Sequence, residues 1–212
     1  KVKVDPETNL PGTIPPSDHE NDLMHFFYGF FAYIKEHGSP IDFFSWHSYA
    51  DASRIKVMDA WLKDELVKLG YPGLETHLNE WNPGVAARGQ LRDASNILSM
   101  MIALHDTPTD MMMYYNFSSH SSYCGPVNPL NMEPFKAYYA FYDFGQLYAL
   151  GTRVKCDVDG EKVYALAATD GKSNAMVIVN HNNDRAVEVS ISGVENAKVT
   201  LTDSARAFDD ID

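Results

Sequence analysis

The sequence predicts an α/β segment over residues 1–150 followed by an all-β, antiparallel segment over residues 151–212. Two patterns carry that reading. Helical and strand-like periods alternate strictly up to Gly151. Beyond it, short strand-like runs succeed one another with turn residues between them, which suggests an antiparallel sandwich. A composition of 45% hydrophobic, 22% charged and 12% aromatic residues across 212 positions supplies ample core and excludes disordered or low-complexity classes.

Residues 1–16 are broken by Pro6, Pro11, Pro15 and Pro16. Ser17 and Glu20 then form a capping-box pattern, and Leu23, Phe27, Phe30 and Ile34 step along one helical face until Gly38 and Pro40. Ile41–Trp46 reads as a short aromatic strand ending in His47-Ser48-Tyr49. Asp51 or Ser53 caps a second helix on which Ile55, Met58, Leu62, Leu66 and Leu69 recur, closed by Gly70 and Pro72. A second strand spans about Leu74–Trp81, and a third helix about Arg88–His105. Met111–Phe117 reads as a third strand, buried by composition, and a fourth helix opens at Pro134 and stops at Gly151. Five strand-like runs come after it: Thr152–Val158, Val163–Thr169, Ala175–Asn180, Ala186–Ile191 and Ala197–Thr202.

Alternation with helical crossovers implies parallel strands, curled into a barrel or laid out as a doubly wound sheet. No glycine-rich phosphate loop follows any strand, which weighs against nucleotide-binding versions. A net charge of −12 weighs against nucleic acid. No run approaches the roughly 18 apolar residues of a membrane span, and no apolar stretch marks a signal peptide. The chain opens on Lys1 rather than Met, as a chain does once upstream residues are removed. Cys124 and Cys156 fit no zinc spacing; they read as two separate buried thiols, with a disulfide between them the alternative. The eight histidines form no metal-binding pair, so no metal site is expected.

Polar and aromatic residues gather at the C-terminal ends of the predicted strands, the end at which a barrel builds its active site. Glu80 stands there in His77-Leu78-Asn79-Glu80-Trp81-Asn82-Pro83, flanked by an indole and two carboxamides. A carboxylate so placed suits glycoside chemistry, in which a retaining enzyme uses one carboxylate as nucleophile and another as acid/base. Taken alone, it equally fits a half-exposed strand-end acid neutralised by an arginine. His47 and Tyr49, at the end of the preceding strand, offer an imidazole and a phenol as donors to a carboxylate or to sugar hydroxyls, or to each other. Trp46 and Trp81 could stack on a sugar face. Trp46 reads better as a core anchor, and the tyrosines of Tyr138–Tyr142 as helix packing.

Together these pieces resemble glycoside hydrolase family 39, in the clan of retaining (β/α)8 TIM-barrel glycosidases. Phe43-Phe44-Ser45-Trp46-His47-Ser48-Tyr49 resembles the family's sixth-strand motif. Leu78-Asn79-Glu80-Trp81-Asn82 resembles the seventh-strand motif, whose Glu is the nucleophile. Pro134–Gly151 resembles the last barrel helix, and the remainder the accessory β-sandwich of such enzymes. An Asn-Glu pair also marks the acid/base on strand four of this clan. Only one further βα unit lies between Glu80 and the sandwich, however, so Glu80 takes the strand-seven role.

The resemblance thus implies strands six to eight of a partial barrel, with the acid/base Glu upstream of Lys1. Glu75 opens its strand at the opposite end, and Asp106 and Asp110 flank the entry to strand eight, so none of them substitutes for it. A complete barrel takes about 250 residues, and the first 150 hold roughly half of one. The implied protein is a fragment of a xylosidase-like enzyme acting on plant-type β-glycosides, inactive alone. In it His47 and Tyr49 orient Glu80 or bind sugar, while Asn79, Trp81, Asn82, Tyr115 and Asn116 shape the subsite. Its open sheet edges would favour self-association. The composition suits a secreted or periplasmic enzyme. The rivals are a non-catalytic carbohydrate-binding or interaction protein on a barrel scaffold, or another clan member: an arabinofuranosidase, a glucanase or a family 30-like xylanase.

Overall fold

A computed structural model describes residues 18–118, 125–182 and 185–211, with residues 18–23 described by their backbone alone. The Ser17–Glu20 cap, the Leu23 side chain, Cys124 and the first 17 residues therefore lie outside the described set. The fold is mixed α/β with small sheets, and its contacts divide it into two compact units. One holds the chain up to Trp81 together with Asp106–Met113; the other holds Asn82–His105 and the chain from Tyr114 onward.

The first unit contains α1 (Asp18–His37), β1 (Phe43–Ser48), α2 (Ala52–Leu69) and β2 (Glu75–Trp81), and it takes in most of β3 (Met111–Tyr114). The second helix begins and ends where its sequence says it should. Asp51 caps α2 by accepting the Arg54 N–H at 3.0 Å. Gly70, at φ 94°, ends it in the left-handed conformation, and Tyr71 N–H reaches back to Leu66 O at 2.8 Å. The apolar stripe of α1 then meets that of α2: Phe27, Phe31 and Ile34 pack on Leu62, Leu66 and Leu74. Phe44 and Trp46 close the cluster from β1, with the Phe27 and Phe44 rings edge-on at 5.4 Å. Trp46 is thus the core anchor its sequence suggested.

The sheet order is β1-β2-β3, and β1 runs parallel to β2, as a helical crossover requires. β2, in the middle, buries Thr76, His77 and Leu78. β3 departs from the expectation. It ends at Tyr114 rather than Phe117, and Met111 and Met113 remain 45% and 40% exposed. Composition alone does not bury a strand; neighbours do. Met111 and Met113 share one face of β3, and that face stays open.

In the second unit a short 3-10 turn, Val85–Ala87, leads into α3 (Leu91–Leu104), and α4 spans Lys136–Leu150. β4 (Thr152–Val154), β5 (Val163–Thr169) and β6 (Asn174–Asn180) form an antiparallel sheet on which α3 and α4 both pack. The β5–β6 turn is set by Asp170, whose carboxylate accepts the Lys172 and Ser173 N–H groups at 2.8 and 2.6 Å. β7 (Val199–Leu201) and β8 (Asp209–Ile211) form a separate antiparallel ribbon. Its connecting loop is tied to α4 by Lys136 Nζ, which donates to the Asp203 and Ser204 carbonyls. Phe208 stacks on Tyr139 beside it.

Three of the five predicted late strands differ. Thr152–Val158 shortens to β4, Ala197–Thr202 shortens to β7, and Ala186–Ile191 forms no strand although its alternation is clear. A strand needs a partner, and among the described residues no backbone hydrogen bond joins this segment to another. The β8 strand had no sequence signal, because Asp209-Asp210-Ile211 is poor strand material held by pairing with β7.

Asp93, at the start of α3, is fully buried. Burial pushes its carboxyl up to about 6, against the opposing pull of the Gly89 N–H, Arg88 and Tyr114. The native state therefore binds a proton that the unfolded chain releases near pH 4. Stability is highest below that pH and falls as pH rises to about 6, by about 3 kcal/mol for this residue. Urea unfolding across pH 4–8 will show the decline, and Asp93→Asn will flatten it. Asp143, pushed to about 6 by burial alone, and Asp59, also raised by burial, add slope of the same sign.

Candidate active site

The parallel register decides where Glu80 points. Phe43 through Trp46 pair with Glu75 through Leu78 in step, but His47 pairs with Glu80, not Asn79. In a regular strand Glu80 would share a face with Thr76 and Leu78, which are fully buried. The slip inserts Asn79 as an extra residue and turns Glu80 to the face of Phe43 and His47, the usual effect of a β-bulge. Phe43 marks that face by stacking on His77 with ring centroids 4.3 Å apart.

Both carboxylate oxygens of Glu80 meet a donor from the end of β1. His47 Nδ1 lies 2.9 Å from Oε2, and the Tyr49 hydroxyl donates to Oε1. The Glu80 side chain is 21% exposed and that of His47 55%, so the carboxylate is fixed yet reachable. A carboxylate bound on both oxygens cannot swing, which suits a nucleophile.

The acids at the other end of the sheet serve the scaffold. Asp110 accepts the Thr76 N–H at 2.7 Å and the Lys63 ammonium at 3.0 Å. Burial works against its ionisation, but these donors outweigh it and hold the carboxyl below the usual range. Asp59 is fully buried, and burial pushes its carboxyl up despite the nearby Thr107 and Thr109. Glu75, at the first position of β2, lies 3.3 Å from His77 Nε2.

The remaining predicted residues fall into two groups. In the first unit, Asn79 is the bulge residue, its side-chain oxygen buried without a hydrogen-bond partner, and Trp81 is 2% exposed. In the second unit, Asn82 is 3% exposed and committed to main chain at both ends. It donates to Tyr115 O at 2.7 Å and accepts from Gly84 N at 2.7 Å. Asn116 accepts the Ser118 N–H at 3.0 Å. Tyr115 keeps its ring 37% exposed. A residue the sequence did not single out joins this group: Arg88 also donates to Tyr115 O, at 2.8 Å. It sits in Ala86-Ala87-Arg88-Gly89, with no motif to mark it. Among the described residues, no cluster of His, Cys, Asp or Glu could hold a metal ion.

The fold matches solved glycosidases. A glucosidase from Croceicoccus marinus superposes with a TM-score of 0.63 over 73% of this chain and 36% of its own, at 23% identity. A GH39 β-xylosidase from Caulobacter crescentus gives 0.54 over 70% of this chain and 34% of its own, at 21% identity. A monomeric β-xylosidase from Caulobacter crescentus CB15 gives 0.51 over 70% and 35%, at 17% identity. At such identities the likeness is one of fold, and the chain spans about a third of the length of these enzymes. No family model and no curated protein matches the sequence.

The register slip makes a direct prediction. Deleting Asn79 restores regular alternation and drives the Glu80 carboxylate toward the helices, at a cost of about 3 kcal/mol or more. Asn79→Gly keeps the residue count and costs about 1 kcal/mol. Thermal unfolding of the two variants side by side will separate them.

Proposed function

We propose that this chain is the nucleophile-bearing portion of a retaining glycoside hydrolase acting on β-xyloside-type substrates. The observation that carries the proposal is the Glu80 carboxylate, held on both oxygens by His47 and Tyr49 at the C-terminal end of a parallel strand. In this reading β1, β2 and β3 are the sixth to eighth strands of a (β/α)8 barrel. The barrel portion ends near residue 150, and residues 151–212 form a sandwich-like accessory domain. The likeness to longer glycosidase chains supports it.

Glu80 attacks the anomeric carbon, the glycosidic bond breaks, and a covalent glycosyl-enzyme forms. A second carboxylate, about 5–5.5 Å from the first, protonates the leaving oxygen and later activates water. Glu75 and Asp110 stand at the wrong end of the strands for that task, so the acid/base belongs outside these 212 residues. His47 and Tyr49 position the nucleophile and reach sugar hydroxyls. The family resemblance assigns Asn79, Trp81, Asn82, Tyr115 and Asn116 to the subsite; Trp81 and Asn82 are too buried to stack on a sugar. No metal or cofactor enters the scheme. The glucosidase among the neighbours favours a second reading in which the sugar is a β-glucoside.

The test separates nucleophile from acid. A fluorosugar with a dinitrophenolate leaving group needs no protonation, so a 2-deoxy-2-fluoro-β-xyloside of this kind should label the chain once, at Glu80, by mass spectrometry. Glu80→Gln should abolish labelling, and Tyr49→Phe should slow it on the order of 100-fold. Ordinary aryl xylosides should not turn over. Absence of Glu80 labelling overturns the reading, as does xylo-oligosaccharide binding unaffected by Glu80→Ala, which would mark a binding module. Turnover lost on Glu80→Gln would place the acid within this chain.

The open edges of β1 and β3, with Phe26, Phe43, Met111 and Met113 exposed, favour self-association in this reading. Light scattering should find oligomers, which Phe26→Ser shifts toward monomer; a monodisperse monomer would count against it.

A further inference from the structure

The segment Ala186–Ile191 combines three properties that conflict in a monomer. Its sequence, Ala-Val-Glu-Val-Ser-Ile, alternates as a strand does. It belongs to no sheet, and among the described residues its backbone bonds to no neighbour. Val189 and Ile191 are 44% and 50% exposed, with Val194 nearby at 44%. A β-prone, aliphatic stretch outside any sheet is a template for strand addition.

We propose that this segment pairs with the same segment of a second copy, as an antiparallel two-stranded ribbon with its two-fold axis at Val189. The sequence is self-complementary about that residue. In this register Val187 faces Ile191, and Val189 faces its own counterpart, so the aliphatic side chains share one face. Glu188 faces Ser190 and Arg185 faces Gly193, so no like charges stand opposite one another. Moving the axis by one residue to Glu188 would set two carboxylates face to face. Moving it to Ser190 would set Val189 against Ile191 but oppose Ser190 to itself and leave Val187 against Gly193. The Val189 register is the one that pairs every aliphatic residue. Such an interface is isologous and closes after two copies.

A ribbon of about five to seven residues per chain buries less than the roughly 1,000 Å² of a stable interface, so the pairing is weak. Each chain also carries a net charge of −12, so salt should strengthen it by screening repulsion. This surface lies in the second unit and does not depend on the glycosidase reading. Its test reads mass and cross-linking rather than chemistry at Glu80.

Opposed Cα atoms in an antiparallel pair lie about 4.5–5.5 Å apart, within disulfide range. With Cys124 and Cys156 replaced by Ser, Val189→Cys should oxidise to a disulfide dimer at least 10-fold faster than Val187→Cys, whose counterpart is displaced by four residues. In the otherwise unaltered chain, Val189→Lys should lower the dimer fraction in sedimentation, and salt should raise it. Amide exchange over 186–191 should slow as protein concentration rises. Equal cross-linking at the two positions, concentration-independent exchange, or a dimer unaffected by Val189→Lys overturns the proposal. Open-ended aggregates relieved by Val189→Lys would also overturn it, because they show unregistered edge pairing.

Discussion

The pairing of His47 with Glu80, in place of Asn79, is the constraint on which the candidate site rests. Everything around it serves to make that pairing possible and to hold it. α2 returns the chain so that β1 and β2 lie parallel, their C-terminal ends side by side. The aromatic cluster of Phe27, Phe31, Phe44 and Trp46 fixes β1 on its helices, and fully buried Leu78 fixes β2. With both strands anchored from one face, the single inserted residue can be absorbed only by rotating the end of β2. Glu80 then meets donors on both oxygens.

The polar groups divide by sheet end. At the N-terminal end, Asp59, Lys63, Asp110 and the Thr76 N–H join the loop before β3 to α2 and β2. Asp110 is consumed by main chain and ammonium and so stabilises the unit, while Asp59 accepts the Thr109 N–H against the cost of its burial. At the C-terminal end, Glu80 is held by side chains that remain half open to solvent. This split between a closed polar floor and an open polar rim is what a parallel sheet with function at one end looks like.

Much of this was legible in the sequence. The four helices and the first three strands follow from apolar spacing and from Asp51, Gly70 and Gly151 at their ends, and the clustering of His47, Tyr49 and Glu80 follows from their places at strand termini. The bulge was not legible, because pairing register is a property of two strands and leaves no mark in either alone. The commitments of Asn82 and Arg88 to Tyr115 O were hidden for the same reason: both depend on a carbonyl distant in sequence. Burial of the methionine strand and pairing of Ala186–Ile191 were misjudged because periodicity records what a segment can do, whereas neighbours decide what it does.

The extra residue at Asn79 also acts as a phase shifter within β2. Before it, side chains keep time with the helical layer, and substitutions there are tuned for packing. After it, Glu80 turns to the face of His47 while Trp81 stays buried. One seven-residue strand thereby carries two independent alternations. Changes that repack Thr76 or Leu78 need not disturb the aim of Glu80, provided the count of residues between them is kept. Length, more than identity, is what this strand has to conserve at its turning point.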